Sequence, residues 1–364
     1  MKRIDERDTI FSRLSLQEGT KDYGEYYAQH SGMKDADDEV RRERLLGRGK
    51  KLEMDPEDRV LHNIAAGTGN LIRQFHETAA ATKPADKKVT MPLETMSRLL
   101  VEAAVYYGAA AAGTIELSED DFYSRHGGSK STLYGKPVDT RWKWAIVFTL
   151  EMDRSMINRA PHDEEELTVM RAYLMGAFVG CQIVLYLKSL GYDAYLNSLQ
   201  QYDAPLKPLA MKAGLGQSGR SNLLVTKKHG CRVRLGAVMT DMALAGSEPV
   251  DFGLTEFCKR CGKCAENCPT GAIEKGQPSI SNEHADWTFS DTRCMTMWNR
   301  AGTDCGICIS SCPFTQGVDP ALVERMKDDP DVMDRIIRED RERYGKRAYI
   351  EGKLPIRRLG DSPD

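Results

Sequence analysis

Apolar and polar positions divide the chain into a polar opening and a patterned remainder. Residues 1 to about 60, with DADDEVRRERLLGRGKKLEMDPED in the middle, are charged and hold no sustained apolar face. Such a run predicts a solvated arm wrapped on the surface. Residues 94–112, ETMSRLLVEAAVYYGAAAA, return apolar side chains at helical spacing and predict a helix that ends before Gly113. RWKWAIVFTLEM, Arg141 to Met152, is β-branched and aromatic and predicts a buried strand. The longest expected helix lies in PHDEEELTVMRAYLMGAFVGCQIVLYLKSLGYDAY, beginning after Pro161 and Asp163, running to Lys188 and stopping at Gly191. An acidic first turn, then a basic residue and glycine at the end, suit the helix dipole and the C-cap. Gly176 and Gly180 sit one turn apart on it, beside Ala172, Ala177 and Cys181. This small-residue stripe permits a close helix contact or the approach of a bulky group. CRVRLGAVMTDMAL, Cys231 to Leu244, alternates Val233, Leu235 and Val238 and predicts another strand. The tail after Pro320 is charged and partly helical, and no solenoid period is present.

Ten cysteines change this picture, because eight of them lie between Cys258 and Cys312. Clustered thiols of this kind read as metal ligands rather than as a disulfide framework. The spacing Cys258-x2-Cys261-x2-Cys264-x3-Cys268-Pro269 is the run that wraps a cubane iron–sulfur cluster. A second set follows: Cys294, Cys305, Cys308 and Cys312-Pro313. In two-cluster ferredoxins the last cysteine of each run ligates the other cluster. That rule assigns Cys258, Cys261, Cys264 and Cys312 to one [4Fe–4S] cluster and Cys268, Cys294, Cys305 and Cys308 to the other. Structural zinc is the alternative, but paired C-x2-C knuckles are its habit and two C-x2-C-x3-C-P endings are not. Cys181 and Cys231 read as small buried hydrophobes.

The 364 residues allow two or three domains, or one large domain with an inserted module. At 41% hydrophobic the chain holds enough for a sizeable core. A net charge of -3 gives no reason to expect nucleic acid as a partner. No uninterrupted apolar run approaches the ~20 residues of a membrane span, and MKRIDERDTIFSRL lacks the apolar stretch of a signal peptide. The expectation is a cytoplasmic chain as written, although the mature form of an exported, membrane-associated protein would read the same.

Much more chain precedes Cys258 than a two-cluster electron carrier needs, which predicts a catalytic domain fed by the clusters. Within KAGLGQSGRSNLLV, Gly214, Gly216 and Gly219 match G-x-G-x-x-G. The fingerprint should follow a strand and open a βαβ unit. Here PLKPLAMKA precedes it and a strand-like segment follows too soon, so a Rossmann site is a poor reading even with Asp241 at a suitable distance. The glycines still let the backbone lie tight against a large planar or phosphate-bearing ligand.

KAGLGQSGRSNLLVTKKHGCRVRLGAVMTD, DFGLTEFCKRCGKCAENCPTGAI and CMTMWNRAGTDCGICISSCPF together resemble the corrinoid-dependent reductive dehalogenases. So do AIVFTLEMD, the long helix, LKSLGYDAY and, at the start, DERDTIFSRL. The resemblance covers almost the whole chain, without the family's twin-arginine signal. It implies an α+β fold: a nitroreductase-like cobalamin-binding domain with a C-terminal ferredoxin-like module. The expected divisions are an arm over 1–80, the cobalamin domain over 81–250, the two-cluster module over 251–320 and a packing tail over 321–364. The implied cofactors are a base-off cobalamin and two [4Fe–4S] clusters, and no D-x-H-x-x-G stands in the sequence to offer cobalt a histidine. The implied reaction takes an organohalide, two electrons and a proton to a C–H bond and halide, under anaerobic conditions. Gly214, Leu215, Gly216, Gly219 and Arg220 would hold the corrinoid. Tyr173 is implied as proton donor and Arg234 as its partner, with Tyr186 and Arg232 as the neighbouring alternatives. A guanidinium stabilises phenolate and makes the phenol, ordinarily near ~10, a better acid. Asn197 and Trp298 are implied pocket residues, the indole lining the substrate cavity and shielding the cluster; the first could equally cap a turn and the second could simply pack. The implied partners are a small organohalide and an electron donor such as ferredoxin, flavodoxin or a membrane-linked protein, with an anchor subunit if the chain is exported. Epoxyqueuosine reductase, which shares the cofactor layout, and a corrinoid-free electron carrier are the rival readings.

Overall fold

The structure is a computed structural model that describes residues 3–43, 56–128, 131–281 and 284–351. It opens with helices α1 (Ile10–Ser15), α2 (Lys21–Gln29), α3 (Ser31–Arg42), α4 (Pro56–Ala81) and α5 (Leu93–Tyr106). Strands β1 (Ala111–Glu116) and β2 (Trp144–Glu151) follow, then α6 (Arg154–Ile157), the long α7 (Asp163–Ser189), β3 (Ala194–Asn197) and α8 (Leu206–Lys212). A small ribbon, β4 (Gln217–Ser218) with β5 (Leu224–Val225), leads into β6 (Val233–Thr240). The cysteine module holds α9 (Leu254–Cys261), α10 (Lys263–Asn267), the pair β7 (Ser279–Ser281) and β8 (His284–Asp286), α11 (Asp291–Ala301), α12 (Ile307–Ser310) and α13 (Pro313–Gln316). Helices α14 (Pro320–Arg325) and α15 (Pro330–Tyr344) close the described chain.

One antiparallel sheet, in the order β1-β2-β6-β3, separates two apolar layers. Successive strand side chains point to opposite faces, and β2 uses both. Ile146, Phe148 and Leu150 join the core with α5 and α7, while Ala145 and Val147 join the core with α8. Burial on both faces explains why WAIVFTLE reads as a continuous apolar run rather than an alternating one. The stripe on α7 meets this sheet: a Cβ at Gly176 would touch Leu150, and one at Gly180 would collide with Leu196 and touch Phe148. Close approach of helix to sheet is therefore the use of those glycines. Among the described residues α7 has the length and apolar content of a membrane span, and it lies in the core against this sheet.

Two expectations change. The helix foreseen over 94–112 ends at Tyr106, because Gly108 takes φ +117 and turns the chain into edge strand β1. Ala111 and Ala112 then pair with Thr149 and Phe148, so strand pairing overrides a run of good helix formers. The opening is likewise more than a solvated arm. Tyr23, Tyr26 and Tyr27 bury together with Leu16, and α4 packs along α7 with Phe75 against Phe178. Arg13, only 3% exposed, binds Asp37 and reaches Asp291 at the start of α11. Residues 44–55 of the charged stretch lie outside the described residues.

Candidate active site

Register decides what meets α7. On β6, Arg234 pairs with Leu150 and Gly236 pairs with Phe148, so Arg234 shares the sheet face that α7 covers. The guanidinium carbon stands 5.0 Å from the centroid of the Tyr173 ring, a cation–π distance. Its Nη2 donates to Asp304 Oδ2 at 3.1 Å. Its Nε is buried with no hydrogen-bond partner, a donor left over for a ligand. Burial alone would lower the guanidinium, but Tyr173, Asp304 and Glu165 outweigh it and the pKa lies above its ordinary value. Arg234 therefore carries a fixed positive charge beside the Tyr173 ring.

Tyr173 and Arg234 line a cavity of about 240 Å³, together with Tyr123, Tyr202, Cys231 and the Leu223–Leu224 corner. That volume suits a small substrate, and a whole corrinoid would extend past it; drug-sized ligands fill about 300–1,000 Å³. No histidine lines it among the described residues. Tyr202 and Tyr123 were not foreseen. Burial, reinforced by Tyr173 and Tyr123, pushes the Tyr202 hydroxyl far above its usual range. Glu165 and Asp304 were missed as well. Burial and then Asp304 hold the Glu165 carboxyl well above the carboxylate range, opposed by Arg234. It packs against Gly306, where a Cβ would stand 2.6 Å from Glu165 Cδ. One signal was available: an arginine in a buried strand needs a counter-ion, though sequence does not say which.

The alternatives to the pair go elsewhere. Tyr186 is 38% exposed near the end of α7. Arg232 binds Glu151 and donates to the carbonyls of Met152 and Thr315 at 2.9 and 3.1 Å. The two expected pocket residues do not line the cavity. Asn197 is fully buried and spends its amide on the following turn: Oδ1 accepts from the Asp203 and Ala204 N–H groups at 2.7 and 3.3 Å, and Nδ2 donates to Ala204 O at 3.2 Å. Trp298 meets Phe11 at a tilt, 5.7 Å between ring centres, and packs against Leu14, Val40 and Met295 one turn beyond Cys294, so its indole serves packing between α11 and the opening helices.

The glycine loop also departs from expectation. Cβ atoms at Gly214 and Gly216 would collide with the carbonyls of Glu248 and Val225, and one at Gly219 would lie 2.7 Å from Val225. At Gly214 and Gly216 the close approach is to the chain's own backbone and at Gly219 to the Val225 side chain, and Gly219 and Arg220 line the first cysteine cavity. Leu215 packs into the core on the α8 face. Arg220 clamps the loop to the cysteine module: Nε and Nη2 donate to Cys258 O at 3.1 and 3.0 Å, and Nη1 to Glu274 O and Gly276 O at 2.9 and 2.8 Å. Four of its five N–H donors go to three carbonyls, which leaves little for an external anion. Gly214 has φ +72 besides its crowding, so Gly214→Ala should lose about 1–3 kcal/mol to overpacking, and more to the left-handed backbone. Denaturant unfolding checks this.

Cys258, Cys261, Cys264 and Cys312 line one internal cavity with Phe257 and Phe314. Cys268, Cys294, Cys305 and Cys308 form a second neighbourhood: Cys308 feels the charge of the other three, Cys305 that of Cys294 and Cys268, and Cys294 that of Cys268. Burial pushes Cys258, Cys261 and Cys305 up to about 12 and Cys294 up to about 11. Thiols this reluctant to ionise need a metal to hold them as thiolates. No three metal-binding side chains close on a single-ion point among the described residues. A four-iron cube, which takes each thiolate at a different corner, asks for that wider spacing, so both sets fit it.

Comparison with known proteins agrees. Residues 257–316 match the family model of the 4Fe-4S dicluster domain. The tetrachloroethene reductive dehalogenase of Dehalobacter restrictus is 35% identical over 48% of this chain and 33% of its own length. That of Sulfurospirillum multivorans is 35% identical over 47% and 35% respectively. The solved catabolic reductive dehalogenase NpRdhA superposes with a TM-score of 0.73 at 21% identity, over 95% of this chain and 46% of its own. The chain thus spans about a third of the curated relatives and about half of the solved one. By sequence across about half its length and by fold across nearly all of it, the chain is similar to the reductive dehalogenases.

Proposed function

We propose that the protein is a reductive dehalogenase: R–X, two electrons and a proton become R–H and halide ion. The observation that carries this is Tyr173 and Arg234 side by side in the wall of one cavity, with a cluster-sized nest of cysteines behind it. A base-off cobalamin would supply the two-electron cobalt chemistry that releases halide, reloaded one electron at a time through two [4Fe–4S] clusters. The chain's own residues supply the rest. The Tyr173 hydroxyl offers the proton that completes the new C–H bond. Arg234, held by Asp304, stabilises the phenolate left behind and any negative charge developing on the substrate. Its orphaned Nε is the donor a substrate or the corrinoid edge would use. Tyr123, Tyr202 and the leucine corner give the cavity an apolar wall, and a low-dielectric wall strengthens each of these interactions. The small organohalide is the substrate partner. Electrons arrive from a soluble ferredoxin or flavodoxin in the cytoplasm, or from a membrane-linked donor with an anchor subunit if the chain is exported.

The test is anaerobic refolding with cobalamin, followed by iron, sulfide, cobalt and halide analysis. About eight irons and one cobalt per chain, with halide released from an organohalide, is the expected result. Eight irons without retained cobalt would leave an electron carrier and end this reading.

A further inference from the structure

Tyr123 enters the wall of the tyrosine cavity from the connection between β1 and β2. The two peptide units that flank it offer four polar groups, and all four are hydrogen-bonded. Tyr123 N–H donates to Asp203 O at 2.9 Å, and Ser124 N–H donates to Ile4 O at 2.8 Å. The Phe122 carbonyl accepts from Arg3 Nε at 3.3 Å, and the Tyr123 carbonyl accepts from Arg3 Nη2. Three of these four bonds therefore come from Arg3 and Ile4, at the opposite end of the sequence from most of the cavity wall.

The opening segment grips the rest of the loop as well. Glu6 N–H donates to Arg125 O at 3.3 Å. The Glu6 carboxylate accepts from the Gly127 N–H, and the Ser12 hydroxyl accepts from the Gly128 N–H at 2.6 Å. A Cβ at Gly127 would stand 2.1 Å from Ser12 Oγ, so the two segments lie in close contact. Phe122 is buried in the core on the α8 face and anchors the other end of the loop. A guanidinium is a planar fork with donors at fixed angles, and here it spans the two carbonyls that bracket one residue.

We propose that Arg3 is a positioning residue for the catalytic cavity: by bridging the carbonyls before and after Tyr123 it fixes that ring in the wall and sets which substrates the cavity admits. This rests on reading the cavity as the substrate site. Arg3 is not itself part of the wall, and it acts only through the backbone of Tyr123. Without the bridge the two carbonyls turn toward water and the ring loses its fixed place. A displaced wall alters the fit of one substrate against another. Tyr173 and its Arg234 partner stay where they are, because neither touches Arg3.

The test places fluorotyrosine at position 123 of the reconstituted full chain and reads its fluorine resonance with and without phenol, a halogen-free probe. In parallel, halide release from bromoethene and from para-bromophenol gives kcat/KM for a narrow and a ring-sized substrate. Arg3→Met should shift or broaden the resonance and weaken its response to phenol. The same variant should change the ratio of the two kcat/KM values about tenfold, with the pH profile unmoved. Arg3→Lys keeps the charge but not the fork and should fall between Arg3→Met and wild type. Arg7→Met, on the same segment but paired with Asp5 rather than with the loop, should match wild type in both readouts. An unmoved resonance or an unmoved ratio in Arg3→Met, or an equal change in Arg7→Met, would overturn the proposal. If wild type releases no halide, the proposed function falls, and the fluorine signal read with phenol alone still decides whether Arg3 holds Tyr123.

Discussion

Tyr173→Phe should lower halide release by about 10²–10⁴-fold, the usual worth of a positioned general acid. Iron and cobalt content should stay at wild type. The substitution keeps the ring, its packing against the core and its contact with Arg234 at 5.0 Å; it deletes only the hydroxyl. Tyr202→Phe is the matched control. Its hydroxyl is held protonated by burial and by two neighbouring tyrosines, which outweigh the opposing effect of Arg234. The control should cost less than tenfold. If Tyr202→Phe abolished turnover and Tyr173→Phe did not, the donor would be Tyr202 and the role given to Arg234 would fall with it.

The largest effect on stability should come from Arg13→Met. The guanidinium donates to both oxygens of Asp37, at 2.8 and 3.1 Å, and to both of Asp291, at 2.9 and 3.1 Å. Asp37 is wholly buried, and both partners help hold the arginine pKa above its ordinary value against the opposing effect of burial. Removing the cation strands a buried carboxylate, which costs about 3–5 kcal/mol. The damage should localise. Residues 3–43 should gain hydrogen exchange and protease cleavage, and α11, which carries Cys294, should loosen next. Exchange at wild-type rates throughout that segment would show that the opening docks without the ion network.

These two residues also mark how far sequence reaches. The cysteine runs, the long helix and both central strands were legible because periodicity and ligand spacing are local properties. Tyr173 and Arg234 required the family resemblance. Their meeting depends on sheet register and on which face α7 covers, and neither is written in a single window. Arg13 looked like one charge among many in a polar opening, and its aspartates lie on different helices. The glycine loop misled for a physical reason: glycine tolerates close approach without specifying what approaches. Its neighbours proved to be the carbonyls of Glu248 and Val225. Arg220 and Asn197 were drawn toward ligands by their chemistry and were consumed by the chain's own backbone. The Ala-rich stretch beyond Gly108 looked helical because alanine favours helix, and pairing with β2 overruled it.

The thiols of the first cysteine cavity come from two distant parts of the chain, Cys258 to Cys264 and Cys312. Cys268 likewise waits for Cys294, Cys305 and Cys308. A ribosome that has synthesised the chain as far as Ala301 has therefore finished neither nest, although five of the eight thiols already exist. Iron delivery has to come late, after the last few turns have emerged. Filling one nest pins the loop that completes the other, so half-loaded protein should be scarce. Cells short of iron would accumulate empty chains rather than chains with a single cluster.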